Sequence, residues 1–176
     1  MDARGAQGGG AAALTVRDAV EGDLGGLLAI YNEVIENSTA VFSDQQVTLE
    51  DRAQWLAARQ GDGFPVLVAD DGGAVAGFGS LGPFRTWPGY RFTVEHSVHV
   101  RADRRGEGIG TILLAALIER ARALGMHTMI AGVEAENAAS IRLHERLGFS
   151  VVATLPEVAW KFDRWLDLVF MALLLG

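Results

Sequence analysis

Glu95 sits inside Phe92–Val100, a stretch that otherwise alternates like a β-strand. A carboxylate in such a setting needs a reason. Either its face of the sheet is solvated, or it handles a proton of something bound. Alternation puts Thr93, Glu95 and Ser97 on one face and Val94, His96 and Val98 on the other. The strand runs into Arg104-Arg105-Gly106-Glu107-Gly108-Ile109-Gly110-Thr111, after which Leu113, Leu114, Leu117, Ile118 and Ala121 recur at helical spacing. Three glycines among residues 106–110 permit close backbone approach and unusual dihedrals. Unpaired amides at a helix start, aided by the helix dipole, suit a phosphate. The chemistry to look for is therefore a phosphate-bearing ligand beside a general base.

Which phosphate ligand is narrowed by spacing. A nucleoside-triphosphate loop ends in Gly-Lys-Ser/Thr, whereas Gly110 is followed by Thr111 with no lysine. A dinucleotide fingerprint needs Gly-x-Gly-x-x-Gly in the first strand–helix unit, whereas Gly106-x-Gly108-x-Gly110 lies past mid-chain. Elsewhere, Arg85 lies in an aromatic loop and could grip a carboxylate bidentately, or simply be solvated. Asn137 opens a helix, where asparagine is a favoured cap. His144 lies seven residues on, beside Glu145.

Around these residues the chain reads β-α-α-β-β-β-α-β-α-β-β, a mixed α/β arrangement with a largely antiparallel sheet and one parallel step across the glycine turn. Leu14–Arg17 opens as a strand. Asp23 is placed to cap a helix with Leu24, Leu27, Leu28, Tyr31, Val34 and Ile35 on one face. Residues 37–46 form a loop. Thr48 and Asp51 resemble a capping box for a helix through Trp55 and Leu56 to about Arg59. Strands Pro65–Ala69 and Ala74–Leu81 flank the turn Asp70-Asp71-Gly72-Gly73. The glycine-turn helix runs to Leu124 with Gly125 as stop. Strand Thr128–Val133, helix Asn137–Leu147, and strands Val151–Leu155 and Trp165–Leu174 complete the order. Residues 1–13, rich in Gly and Ala, read as a flexible tail, and 14–176 as one domain.

The 176 residues carry a net charge of −7, which disfavours nucleic acid or an anionic membrane as partner. The absence of cysteine excludes disulfides, zinc–thiolate sites and a thiol nucleophile. No apolar run reaches membrane-spanning length and no secretory leader is evident, so the cytoplasm is the default compartment.

Arg105, Gly108 and Gly110 meet the pattern Arg/Gln-x-x-Gly-x-Gly/Ala, which resembles the pyrophosphate loop of the GCN5-related N-acetyltransferase (GNAT) superfamily. Asn137-Ala138-Ala139-Ser140, Leu143-His144 and Leu147-Gly148-Phe149 resemble its C-terminal motif. Residues 93–98, Trp160-Lys161-Phe162 and Arg164-Trp165-Leu166-Asp167 resemble the phosphinothricin and methionine sulfoximine N-acetyltransferase branch. The resemblance implies a GNAT fold of about seven strands and four helices. It implies acetyl-CoA as cosubstrate, no metal, a small amino-acid substrate and a homodimer. Backbone groups of Arg105, Gly106, Glu107, Gly108, Ile109, Gly110 and Thr111 would face the pyrophosphate. Those of Val98, His99 and Val100 would pair with the pantetheine arm, with Asn137 contacting it too. Glu95 would be the general base. His144 stands where many members have a tyrosine that protonates the thiolate, a departure shared with this branch; it could act as acid, as base, or structurally. Phe42, Arg85, Thr86, Trp87, His96 and Ser97 would line the substrate site together with Glu95. Trp160, Phe162 and Trp165 would be core or a dimer patch. Asp163 stands where close relatives often have glycine. A different amine acceptor, or a binding-only CoA sensor, would share most of these features.

Overall fold

The computed structural model describes residues 14–176. The expected flexible tail, residues 1–13, lies outside them. The elements are β1 (Thr15–Asp18), α1 (Leu24–Asn37), α2 (Leu49–Gly61), β2 (Val66–Asp71), β3 (Ala74–Pro83), β4 (Thr93–Val100), α3 (Ile109–Ala123), β5 (Thr128–Glu134), α4 (Ala138–Arg146), β6 (Ser150–Lys161) and β7 (Arg164–Leu174). Their order is the one expected from the sequence. The strands form one sheet in the order β1-β2-β3-β4-β5-β7-β6, antiparallel except for β4 and β5.

Amphipathic helices cover both faces. Leu113, Leu114 and Leu117 of α3 are fully buried in one core cluster, while Leu27 of α1 and Leu56 of α2 pack with Val66, Val68 and Phe78 in a second. The capping box of α2 forms as expected: the Asp51 amide donates to Thr48 Oγ1 at 3.1 Å, and the Thr48 amide donates back to the Asp51 carboxylate at 2.7 Å. Asp23 corrects an expectation. It precedes α1 but makes no side-chain cap; its carboxylate accepts from Arg17 at 2.7 and 2.9 Å and from the Val20 amide. A charged bidentate partner outcompetes the helix amides for it. β6 also runs six residues beyond the Leu155 expected, across an irregularity between Leu155 and Ala159. Among the described residues β7 is its one neighbour in the sheet, and the β6 side chains are mostly exposed, so no buried alternating face announces it.

The feature that positions the site is an early end to one ladder. β3 pairs with nearly all of β4, Gly77 to Pro83 against Val100 to Val94. β5 pairs with β4 only from Thr93 to Glu95. Beyond Glu95 the two parallel strands part, and the β5-facing edge of β4 is left bare from His96 to Val100.

Candidate active site

Two cavities open at that parting and share Ala40, His96, Ser97, His99 and Gly132 in their walls. The first, of about 320 Å³, lies between the bare edge of β4 and α4. Val98, Val100, Arg105, Gly110, Asn137, Ser140 and His144 line it. The second, of about 380 Å³, lies over the α1–α2 face of the sheet and includes Glu95. One face of β4 therefore holds the carboxylate, the other the histidine, as alternation requires.

The glycine turn closes one end of the first cavity. Gly106 and Gly108 have φ of 85° and 84°, a conformation that favours glycine. Gly110 serves differently: a Cβ there would meet Leu143 Cδ1 at 3.1 Å, so its role is close packing of α3 against α4. The Thr111 amide, expected to face the anion, instead donates to the Gly108 carbonyl at 3.0 Å. The free amides of the turn are those ahead of it. Arg105 lines the cavity and pairs with Glu33, whereas Arg104 and Glu107 bind each other at 2.7 Å on the surface. His99, expected to matter through its backbone, has its imidazole buried against Tyr31 and Phe78, with ring centroids at 5.5 and 5.2 Å. Burial, then Arg52 and Arg105, push its pKa down to about 4.

Asn137 Oδ1 caps α4, accepting from the Ser140 amide at 3.1 Å, and the residue also lines the cavity. His144 is buried, not on the helix surface beside Glu145. Its Nδ1 donates to the Ser140 carbonyl at 2.7 Å, which leaves Nε2 with a lone pair. His96 Nε2 lies 3.1 Å from that nitrogen, and the rings stack with centroids 5.0 Å apart. His96 Nδ1 is buried without a partner. The arrangement is a chain of two neutral imidazoles. Burial, then His144 and His99, push His96 down to about 3, and burial lowers His144 as well. His96 was expected on the substrate side. Its ring instead turns to the α4 face, although the residue borders both cavities.

Glu95 is half-buried, and desolvation raises its pKa above the usual carboxylate range, with Arg85 and then Arg59 pulling the other way. Ser97 donates to or accepts from Ser80 at 3.0 Å on the same face.

Of the other expected substrate residues, Arg85 stands close enough to Glu95 to act on its carboxylate. Phe42, Arg85, Thr86 and Trp87 line neither cavity. Trp87 is 73% exposed, and Arg85 lies on the Phe84 ring and donates to the Phe84 carbonyl at 2.7 Å. The resemblance implied them for the substrate site, whereas the Trp87 ring turns out into solvent. The walls come instead from Tyr31 of α1 and from Arg52, Trp55 and Arg59 of α2. The spacing Arg52, Trp55, Arg59 puts these on one helical stripe, a signal that was present in the sequence. Glu134 was also missed. It is buried in the first cavity, accepting from Thr39 Oγ1 and the Glu136 amide, both at 3.0 Å.

Ala40 and Val41, which complete the walls, belong to a bend held by Lys161. The Lys161 ammonium is 3% exposed and donates to the carbonyls of Ile35, Ser38 and Val41 at 2.7, 2.7 and 2.8 Å. Its neighbours Trp160, Phe162 and Trp165 are more than half exposed, so they are surface rather than core. No group of three or more metal-ligating side chains occurs among the described residues, and no described helix is long and apolar enough to cross a membrane.

Known proteins carry the same architecture. The chain is 53% identical over 160 residues to an L-methionine sulfoximine/L-methionine sulfone acetyltransferase of Pseudomonas paraeruginosa, covering 90% of this chain and 93% of that one. It is 36% identical to a phosphinothricin N-acetyltransferase of Streptomyces coelicolor, covering 92% and 96%. An acetyltransferase of Salmonella typhimurium, solved with its cofactor acetyl-CoA, superimposes with a TM-score of 0.92 at 46% identity, covering 94% and 95%. The model of the acetyltransferase (GNAT) family matches residues 27–149. A parted parallel strand pair, a glycine turn at its mouth and this likeness over most of the chain agree: the chain belongs to the GNAT acetyltransferase family.

Proposed function

We propose that the protein moves the acetyl group of acetyl-CoA directly to the primary amine of a small amino-acid analogue of the methionine sulfone, methionine sulfoximine or phosphinothricin kind. The observation that carries this is the junction of the two cavities at His96 and Ser97, with a carboxylate in one and an anion-binding turn at the end of the other. The bare edge of β4 offers backbone donors and acceptors to an amide-rich arm, as an added strand would. The amides from Gly106 to Gly110 hold the pyrophosphate, and Asn137 keeps its amide nitrogen for the arm while its oxygen caps α4.

Glu95 takes one proton from the substrate ammonium, and the freed amine attacks the thioester carbon. As the new C–N bond forms and the C–S bond breaks, the nitrogen sheds a second proton and the thiolate gains one. His144, in the wall of the cofactor cavity, gives its Nδ1 proton to the thiolate on leaving the Ser140 carbonyl and is reprotonated by the proton the nitrogen sheds, while His96 fixes its ring. With no cysteine in the chain, no acyl-cysteine intermediate intervenes.

Residues 14–176 act as one acetyltransferase domain in the cytoplasm. Val158, Trp160, Phe162 and Trp165 give the β6–β7 hairpin an exposed apolar surface suited to a homodimer.

The decisive assay is thiol release from acetyl-CoA across a panel of amines. Methionine sulfone and sulfoximine should be turned over, and polyamines and aminoglycosides should not. Release with the latter alone would reassign the acceptor, and no release with any amine would leave a CoA-binding protein without transfer activity.

A further inference from the structure

The second cavity holds two guanidinium groups that form no ion pair, although Arg59 lies near enough to Glu95 to lower its pKa. Arg52 is 7% exposed, lies 4.3 Å from the Tyr31 ring centroid and 4.5 Å from that of Trp55, and its Nε has no partner. Arg59 Nε is likewise buried without a partner. Neither residue joins an ion pair among those described, unlike Arg17, Arg101, Arg104, Arg105, Arg120, Arg122 and Arg164. A buried, unpaired cation is costly to keep, and the cost makes sense where a ligand supplies the missing anion.

The two groups sit at different places in the cavity. The Arg59 guanidinium lies against Gly82, where a Cβ would collide with it, and Gly82 is in register with Glu95. Arg52 stands over Trp55, whose ring packs edge-on to Phe78 at 6.2 Å, and Phe78 is in register with His99. Glu95 and His99 are four residues apart on β4, a separation of about 13 Å along an extended strand. One end of the cavity thus presents a carboxylate and a guanidinium together, the other a lone guanidinium, with Phe78 and Trp55 as apolar wall.

We propose that Arg52 determines specificity by binding the oxygen-rich end of the acceptor's side chain, while Arg59 holds the α-carboxylate next to Glu95. An α-amino acid carries its ammonium and carboxylate on one carbon, which matches the Glu95–Arg59 end. The apolar wall takes a short methylene chain. A tetrahedral sulfone, sulfoximine or phosphinate tail then meets Arg52, whose planar fork donates to two acceptor atoms of the tail at once. A thioether or plain alkyl tail would leave Arg52 buried and unpaired, so discrimination comes from the penalty as well as from the bond. This inference rests on the acetyltransferase reading above.

The test compares methionine sulfone, methionine and 3-(methylsulfonyl)propylamine as acceptors for the wild-type protein and for Arg52→Gln, Arg52→Lys and Arg59→Gln. Losing a charge-assisted pair with a buried partner should lower kcat/KM for methionine sulfone by roughly 10- to 100-fold in Arg52→Gln, through KM. Methionine should lose less than about 3-fold, so the preference for the sulfone collapses. Arg52→Lys should recover only part of that preference, because an ammonium lacks the fork. Arg59→Gln should weaken both amino acids alike and spare the amine that has no carboxylate. Equal losses for sulfone and sulfide in Arg52→Gln, with an unchanged KM for acetyl-CoA, would overturn the assignment. If the wild-type protein turns over no amino acid, the transfer reading fails separately. Calorimetric titration of methionine sulfone then decides: binding that Arg52→Gln abolishes upholds the assignment, and no binding to the wild-type protein overturns it.

Discussion

Replacing Lys161 by methionine keeps most of the side-chain volume and removes one charge. Its ammonium serves three carbonyls, two of them at the C-terminal end of α1, where a cation is also favoured by the helix dipole. Each buried carbonyl left without a donor costs on the order of 1–3 kcal/mol, and relief of the lysine's own desolvation offsets part of the sum. A net loss of about 3 kcal/mol is expected, which for a chain of this size lowers the melting temperature by roughly 6–12 °C. Circular dichroism melts at neutral pH measure it. The same bend carries Ala40 and Val41 into the cavity walls, so KM for the amine should rise in step. A melting temperature within ~2 °C of wild type together with an unchanged KM would refute the reasoning, since the three carbonyls would then be served by water.

Glu95→Gln should reduce kcat while acetyl-CoA affinity stays near wild type, and the wild-type rate should climb through a pKa above the usual carboxylate range; a pH–rate profile of both proteins checks this. Stability should fall as pH drops below about 6.5, because the unfolded chain then binds protons that folded His96 and His99, held near 3 and 4, refuse. At ~1.4 kcal/mol per pH unit for each group, about 2 to 3 kcal/mol should be gone by pH 5.5, readable as a urea midpoint shift; Glu95, with its raised pKa, works in the opposite direction. Asp163→Gly should raise the melting temperature by a few degrees, because Asp163 holds φ of 55° in a tight turn after Phe162 at 52°, and relief of one left-handed residue yields about 1 kcal/mol. No gain there would mean that the Asp163 side chain stabilises the turn in another way.

Element order was legible because each strand and helix has its own apolar period and most turns carry Gly or Asp. The anion turn was legible for the same reason: Gly106 and Gly108 are required by the backbone itself. Glu95 was legible as a misfit charge. What remained hidden depends on which side chains meet across the chain. Alternation correctly separated His96 from Glu95, but nothing local to His96 announces a partner 48 residues away on α4. Arg85 and Trp87 have the right chemistry in a loop whose outward direction is set by tertiary packing. Arg52 and Arg59 are residue types common on a helix surface, and only the position of α2 turns them into the cavity. Lys161 lay in a recognised motif, yet its use follows from a bend 120 residues earlier in the chain.

The sheet order β5-β7-β6 has a consequence for synthesis. Among the described residues β6 finds its only neighbour in β7, and β7 alone covers the far edge of β5. During translation β6 therefore emerges as an orphan, apolar and unpaired. The edge of β5 opposite the β4–β5 parting stays open until β7 slides between two strands already made. A ribosome pausing before β7 would hold a nascent chain with two open sheet edges beside the future active site. Such a chain is a natural client for a holdase and a poor candidate for a disruptive fusion at that end.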